Sequence, residues 1–252
     1  MRFVKSLAVI AIGVAFCFCA GCTSTQPGAT TEPAKPANIR PNVVTSFNPT
    51  TETPVIAQDA YVDPMASVIG NVEIGPKVYV APFASVRGDE GQPIYVGEGS
   101  NIQDGVVLHA LETEENGEVV EKNLVEYGGK KYAVYVGKHV SLAHQAQVHG
   151  PALVDDSTFI GMQALVFKAQ VGKNCVVEPG AKLLNGVKVP DGRYVPAGAV
   201  VTTQEQADNL PKITDDYPLK NLNQGVLHVN EQLAEGYLKT EDGTTEGETK
   251  AH

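Results

Sequence analysis

Three histidines, His109, His144 and His149, could together bind a metal ion. Neutral imidazole is a common ligand of zinc, and it also binds iron and cobalt. Three protein ligands leave a coordination position open for water, which is typical of a catalytic zinc site rather than a structural one. These residues favour a metalloenzyme with zinc as its cofactor, and iron or cobalt stay open as the native metal.

A six-residue repeat must position these histidines. Aliphatic residues recur at every sixth position, interrupted by two insertions and one slip of a single residue, at Ile56, Val62, Val68, Ile74, Val80, Val86, Val96, Ile102, Leu108, Val136, Leu142, Val148, Val154, Ile160, Val166, Val171, Val177, Leu183, Val189, Val195 and Val201. Hexapeptide repeats are typical of a parallel β-helix, in which stacked coils bury one aliphatic core. We therefore predict a mainly β protein with a β-helix catalytic domain over residues 55–203. The repeat does not determine handedness.

Two insertions in the repeat are candidate functional loops. The first surrounds Asp89 to Pro93, and the second, residues 110–133, is rich in glutamate. Insertions in a solenoid form surface loops, which often carry functional residues. We expect the second insertion to form an acidic lid.

An amphipathic α-helix is predicted after the repeat, within a C-terminal helical segment at residues 204–238. It should span about residues 221–238 and pack along the β-helix. Its apolar residues have helical spacing and are Val226, Val229, Leu233 and Tyr237. Residues 239–252 are polar and are expected to form a flexible tail.

The N-terminal residues resemble an export signal. Basic residues precede an apolar stretch that ends at Cys22, so we interpret residues 1–22 as a signal peptide. The end of this stretch resembles a lipoprotein cleavage box, although Cys19 stands where leucine is usual, and acylation of Cys22 and plain cleavage both stay open. Residues 23–54 are rich in Thr and Pro, which predicts an extended tether. We expect an exported, extracytoplasmic protein, anchored to the outer face of a membrane if Cys22 is acylated.

Charge and cysteine content exclude several classes of protein. The net charge of −10 argues against nucleic acid or an anionic membrane surface as a partner. Cys175 is the only cysteine beyond residue 22, so we expect no disulfide within the folded domain. A small substrate is expected.

Counting three hexapeptides to a coil places His109 and His149 in one column. If insertions only bulge from corners, Leu108 stacks on Val86 and beneath Val148. The residues that follow these three then form a column of Arg87, His109 and His149. Neighbouring strands lie about 4.8 Å apart, so two imidazoles at this spacing can share a zinc ion whose nitrogen ligands lie about 2.0–2.1 Å away.

His144 falls on a different face of the β-helix. It follows Leu142, and Asp104 occupies the equivalent place one coil below. Within one chain His144 cannot easily reach a metal held by His109 and His149, whereas a neighbouring copy can bring it there. We therefore predict an oligomer with the metal at its interfaces, and a trimer closes such a heterologous contact.

Three segments resemble the γ-class carbonic anhydrases: SVRGDEG (85–91), NIQDGVVLHALE (101–112) and SLAHQAQVHG (141–150). The resemblance is strongest to the exported, acidic-loop subgroup of the archaeal type. It implies a left-handed β-helix, a homotrimer, and reversible hydration of carbon dioxide to bicarbonate and a proton by a metal-bound hydroxide, the reaction of a carbonate dehydratase. By this resemblance, His109 and His149 of one subunit and His144 of its neighbour hold the metal.

The resemblance also implies roles for other polar residues. Gln103 would orient the hydroxide, Glu90 would transfer a proton near the metal, and Glu112 would pass it outwards. The positions that match substrate or product contacts are Arg87, Asp89, Asn101 and Asn230. Structural alternatives stay open, because Arg87 and Asp89 could form only an intersubunit salt bridge and Glu112 could belong to a solvated acidic run.

Two other functions remain as alternatives. Many hexapeptide β-helix trimers are acyltransferases that use one interfacial histidine as general base, and a β-helix can also be a non-catalytic binding or scaffold protein. An acyltransferase would leave three histidines at zinc spacing unexplained. The presence of Gln103 and Glu112 beside the three histidines argues against a scaffold.

Overall fold

Short parallel strands form the three faces of a left-handed β-helix in the computed structural model, which describes residues 38–241. Face 1 is a sheet of eight strands, and faces 2 and 3 have seven strands each. An α-helix follows at the C-terminal end, so the predicted fold class is confirmed. The predicted signal peptide, residues 1–22 with Cys22, lies outside the described residues.

Each coil contributes one strand to each face. The strands of face 1 are Ile39–Arg40, Ser67–Gly70, Ser85–Gly88, Val107–His109, Gln147–His149, Leu165–Phe167, Lys182–Leu183 and Val200–Val201. The strands of face 2 are Val55–Ile56, Val72–Ile74, Ile94–Val96, Val134–Val136, Ala152–Val154, Gln170–Val171 and Lys188–Val189. The strands of face 3 are Tyr61–Val62, Tyr79–Val80, Asn101–Ile102, Ser141–Leu142, Phe159–Ile160, Val176–Val177 and Tyr194–Val195.

The hexapeptide explains why the strands are short and the core is aliphatic. Leu108, Leu142 and Val148 point inward and are completely buried, as is the small Ala146 at the following corner. Burying each large aliphatic side chain contributes about 1.5–3 kcal/mol. A shift of one residue would turn these side chains outward, so the aliphatic column fixes the register.

The observed register confirms the predicted stacking. Leu108 pairs with Val86 on one side and with Val148 on the other, although an insertion lies in each connection. Val154 pairs with Val171, so the predicted slip of one residue is absorbed without loss of pairing.

The tether prediction for residues 23–54 is wrong from residue 38 onward. Ile39–Arg40 adds a strand to face 1 beside Ser67–Gly70. Asn42 is buried and holds the following loop, because its side chain donates to the Thr50 carbonyl and accepts from the Glu52 backbone N–H, both at 2.8 Å. These backbone contacts are independent of the Thr- and Pro-rich composition that suggested a tether.

The second insertion forms two antiparallel hairpins. In the first hairpin, the strand Glu114–Glu115 pairs with Glu118–Val119. In the second hairpin, Val125–Tyr127 pairs with Lys130–Tyr132, and the 3₁₀ turn Glu121–Asn123 lies between the two hairpins. The second hairpin packs on face 2, where the rings of Tyr127 and Tyr132 lie 4.0 and 5.2 Å from the ring of Tyr135. The insertion is therefore anchored to the β-helix through its second hairpin.

The C-terminal helix, Leu222–Glu241, follows a short helix, Gln204–Asp208, and extends beyond its predicted end at residue 238. Its buried face coincides only in part with the predicted apolar stripe: Val226 packs against a cluster that includes Phe159 of face 3, and the Tyr237 ring stacks on Tyr61 at 5.0 Å. Asn223, Asn230 and Ala234 are buried, whereas Val229, Leu233 and Tyr237 stay 39–55% exposed.

Two contacts explain the face that packs. Asn223 donates from Nδ2 to the His139 carbonyl at 2.9 Å, and the small Ala234 packs against Tyr61 and Tyr79 of face 3. Polar and small residues thus bring the helix close to the β-helix. Among residues 38–241, no helix has the length and apolar character that a membrane span requires.

Candidate metal centre

His109 and His149 lie side by side on face 1. They are in register on adjacent strands, and their ring centroids are 5.3 Å apart with the rings nearly perpendicular, at 82°. Both rings point outward because each follows a buried residue of a strand, where side chains alternate between faces. Arg87 lies on one side of the pair and Phe167 on the other, with the Phe167 ring 5.3 Å from His149. The column predicted from the repeat is confirmed.

His109 Nε2 is surrounded by charged groups. It lies 3.0 Å from Arg87 Nη2, 3.3 Å from Asp89 Oδ1 and 3.2 Å from Glu90 Oε1. Arg87 can donate to this nitrogen only when it is unprotonated, whereas the carboxylates accept from it only when it carries a proton. Burial would lower the pKa of His109, but hydrogen bonds to Asp89 and Glu90 raise the pKa above its ordinary value. This atom is therefore a place where a proton or a cation is favoured.

The Arg87–Asp89 ion pair is present within one chain. Arg87 Nη1 lies 3.2 Å from Asp89 Oδ2. Burial would raise the pKa of Asp89, but its hydrogen bond with His109 and the charge of Arg87 lower the pKa below its ordinary value. Asp89 is consequently ionised at neutral pH and balances the guanidinium charge.

His149 is held as a neutral imidazole. Its Nδ1 lies 3.2 Å from the Gly150 carbonyl and can donate to it, which leaves Nε2 unprotonated. Burial lowers the pKa of His149 below its ordinary value, although the bond to Gly150 opposes this change. A neutral imidazole with one nitrogen bonded to a carbonyl is the usual form of a metal ligand.

His144 stands at the edge between face 3 and face 1. It follows the strand Ser141–Leu142, and the next residue, Gln145, has a positive φ of 62° that turns the chain towards face 1. His144 Nδ1 lies 3.0 Å from Asp104 Oδ2 one coil below, and the His144 side chain is 53% exposed. The carboxylate can hold the proton on Nδ1, so that Nε2 is available to a metal.

Gln103 and Asn230 line a groove beside His144. The groove lies between face 3 and the C-terminal helix and has a volume of about 650 Å³. Gln103 Nε2 donates to Asn101 Oδ1 at 3.0 Å, and Asn101 Nδ2 donates to Ser141 Oγ at 2.9 Å, all three being buried. Asn230 Nδ2 donates to the Val226 carbonyl of its own helix at 2.8 Å. Most of the remaining wall is apolar and includes Phe159, Met162, Val226, Val229 and Leu233.

Glu90 and Glu112 lie on the two insertions, which touch each other through Thr113. The backbone N–H of Thr113 donates to the Glu90 carbonyl at 2.8 Å. The exposed Glu112 borders a shallow pocket of about 270 Å³ together with Phe47. Thr113 could not be identified from the sequence, because a single threonine inside an acidic loop belongs to no repeat and to no motif.

The predicted site residues form two groups on one chain. The first group is on face 1 and the insertions and comprises Arg87, Asp89, Glu90, His109, Glu112 and His149. The second group is at or beside the groove and comprises Asn101, Gln103, His144 and Asn230. Across residues 38–241, no hydrogen bond or ion pair joins the two groups.

The donors on face 1 fit a divalent metal ion. Ligand atoms of Asp89, Glu90 and His109 lie within 4.8 Å of one another, and His149 adds a second imidazole beside them. Nitrogen and carboxylate donors of this kind suit zinc.

The chain is similar to proteins named carbonic anhydrase. The chain is 62% identical over 205 residues to a protein of Methanosarcina thermophila named carbonic anhydrase, and the match covers 81% of this chain and 83% of that protein. It is 35% identical over 173 residues to the mitochondrial gamma carbonic anhydrase 1 of Arabidopsis thaliana, covering 68% of this chain and 55% of that protein. No family model matches the chain.

Solved structures support the fold alone. A hexapeptide transferase family protein from Anaplasma phagocytophilum superposes with a TM-score of 0.55 and 22% identity, covering 74% of this chain and 93% of that one. At this identity the likeness carries no information about the reaction, so it gives no support to an acyltransferase.

Proposed function

The chain belongs to the γ-class carbonic anhydrase family and catalyses the reversible hydration of carbon dioxide to bicarbonate and a proton; we propose that it does so at zinc sites shared between three copies of the chain. His109 and His149 of one copy and His144 of the next would hold each ion. When bound, zinc would lower the pKa of a water molecule towards about 7 and so make a nucleophile available at neutral pH.

The site residues of one chain are divided between face 1 and the groove, and this division is the main support for the proposal. A threefold ring repeats one heterologous contact and closes on itself, so face 1 of each copy can meet the groove of the next. The groove wall has an apolar surface suited to an interface, since Met162 is 43% exposed and Val229 is 55% exposed. One contact of this kind would join both groups of residues in every site.

Gln103 orients the attacking oxygen. Because its Nε2 donates to Asn101, its Oε1 is the atom left to accept a hydrogen bond in the groove. The amide of Asn101 is fixed in turn by Ser141. A side chain held in this way loses little freedom when it binds the reacting group.

Glu90 and Glu112 move the proton away from the reacting oxygen. Glu90 lies 3.2 Å from His109 Nε2 and its side chain is only 20% exposed, whereas Glu112 is in contact with solvent. A proton acceptor must lie within hydrogen-bond reach of the proton that it takes, directly or through one water. The pair therefore suits transfer from a confined position to an exposed one.

Arg87 binds the anionic product. Its side chain is 41% exposed, and its position is fixed by Asp89 and His109. A guanidinium group matches the planar geometry of a carboxylate-like anion such as bicarbonate. Asn230 would contact the same anion from the neighbouring copy.

Metal analysis and carbon dioxide hydration assays on the purified protein test the proposal. We expect zinc bound in proportion to the chain, loss of activity after chelation and its return with added zinc. His144→Ala removes one proposed metal ligand, so activity should fall by about 100-fold or more.

His228→Ala is the matched control, because His228 is an exposed histidine of the C-terminal helix whose ring contacts Gln232 of the same helix. Its activity should equal that of the unmodified protein. A metal-free protein with full activity, or equal activity in His144→Ala and His228→Ala, would contradict the proposal.

We further propose that the protein is exported and anchored by a lipid on Cys22. The basic start, the apolar stretch and the small residues before Cys22 support this proposal. Mass spectrometry of the mature N-terminus tests it, and an unmodified terminus would exclude the lipid.

A further inference from the structure

We propose that Thr113 is a positioning residue that fixes Glu90 relative to Glu112 and so supports proton transfer; this inference rests on the proposed function. Glu90 and Glu112 belong to different insertions, whose connection along the chain includes a complete strand of face 1. Their relative position therefore depends on contacts between the loops. Thr113 supplies the central contact.

The Thr113 hydroxyl makes two hydrogen bonds whose directions are both determined by its partners. It donates to the Glu90 carbonyl and accepts from the Gln92 backbone N–H at 2.6 Å. A carbonyl can only accept and an N–H can only donate, so the hydroxyl proton has one possible direction. The backbone N–H of Thr113 also donates to the Glu90 carbonyl at 2.8 Å, and the residue is completely buried.

Gly91 leaves room for this hydroxyl because it has no side chain. Its φ of +104° is a conformation that residues with a side chain rarely adopt, and a Cβ built there would lie 2.8 Å from Thr113 Oγ1. Glycine at position 91 thus permits the close approach of the two loops.

Further bonds extend from Thr113 to the rest of the second insertion. The Thr113 carbonyl accepts from the Val120 N–H at 2.7 Å, which closes the first hairpin. Asn123 Nδ2 donates to the Glu112 carbonyl at 2.7 Å. The backbone of Glu112 is consequently held on one side by Asn123 and on the other by Thr113.

Removing the hydroxyl should affect one stage of the reaction. Thr113→Val has nearly the same shape but leaves the Gln92 N–H without its acceptor, so the loop of Glu90 should move. Proton removal follows the attack on carbon dioxide, and a defect there lowers kcat while kcat/KM for carbon dioxide is largely retained. Misplacement of a catalytic group by about 1 Å can cost up to ~100-fold.

The experiment compares Thr113→Val with Thr113→Ser in the full chain. Amide hydrogen exchange of Gln92, measured without added metal, reports the loop contact independently of activity. We expect faster exchange and a kcat at least ~10-fold lower in Thr113→Val, with kcat/KM within about twofold of the unmodified protein. Thr113→Ser keeps the hydroxyl and should keep both the protection and kcat. Thr113→Ala replaces Thr113→Val if the latter does not fold.

Three results would overturn the inference. Unchanged kcat despite fast exchange at Gln92 would show that the contact does not position Glu90. Equal losses of kcat and kcat/KM together with loss of metal would show a structural role in the metal centre instead. Unchanged kcat in Glu90→Gln would remove the proposed role of Glu90 itself, and this pattern is distinct from failure at Thr113 alone.

Discussion

Mixing two inactive variants should restore activity if each metal site is built by two copies of the chain. His144→Ala retains His109 and His149 on face 1 but lacks the ligand at the edge. His109→Ala has the opposite defect. Because face 1 and the edge that carries His144 belong to different sheets of one chain, a mixed trimer can combine the intact parts of the two variants.

The expected recovery follows from counting interfaces. Each interface takes its face 1 ligands from one copy and its edge ligand from the next. With equal amounts of the two chains and random assembly, a site is complete only when the first copy is His144→Ala and the second is His109→Ala. This arrangement occurs at about one quarter of the interfaces, so activity should return to ~25% of the unmodified protein.

The assay is initial-rate carbon dioxide hydration after co-refolding of the two variants, with mixed trimers verified by native mass spectrometry. Pairing His109→Ala with His149→Ala provides the control, because the two rings lie 5.3 Å apart on one face and both would be supplied by the same copy. That pair should recover nothing. Absence of recovery from the first pair, in verified mixed trimers, would refute the shared site.

Two further predictions concern the scaffold. Leu108→Ala removes a completely buried side chain at the centre of face 1 and should lower the free energy of unfolding, measured in denaturant, by about 2–5 kcal/mol. The control is Val119→Ala, where the side chain is 43% exposed and the free energy of unfolding should change by less than about 0.5 kcal/mol. Burial would raise the pKa of Asp156, but the Lys138 backbone N–H and the Lys173 ammonium lower it below its ordinary value. The ionised Asp156 therefore contributes stability above the pKa of the unfolded chain and loses it as pH falls through the folded value. Melting temperatures should thus fall less on acidification in Asp156→Asn, and a parallel fall in the two proteins would disprove this coupling.

The sequence predicts the register of face 1 because the buried side chains and the coil length are both periodic. Insertions do not disturb the count of Val86, Leu108 and Val148, since extra residues leave at the corners and the strands remain stacked. The same periodicity predicts the neighbouring pair His109 and His149. It also places His144 on another face, as the structure confirms.

Contacts between distant, non-repeating residues could not be predicted in this way. Tyr135 lies in the repeat, but its partners Tyr127 and Tyr132 belong to a hairpin whose position the repeat does not determine. The prediction for the buried face of the C-terminal helix was only partly right, because helical spacing identifies an apolar stripe without identifying what covers it. Val226 and Tyr237 pack inward, whereas Val229 and Leu233 stay exposed. In this chain Asn223 and Ala234 face the β-helix.

Contact with a second copy of the chain would explain both the exposed stripe of the C-terminal helix and the separation of His144 from His109. A stripe containing Val229 and Leu233 is costly to leave in water, and burying it contributes about 25 cal/mol for each Å² of apolar surface. The same groove contains His144 and Gln103. Contact with a second copy would therefore bury the stripe and complete the metal site together. Substitution of Leu233 by a charged residue should weaken both assembly and metal retention, whereas a site within one chain would lose only assembly.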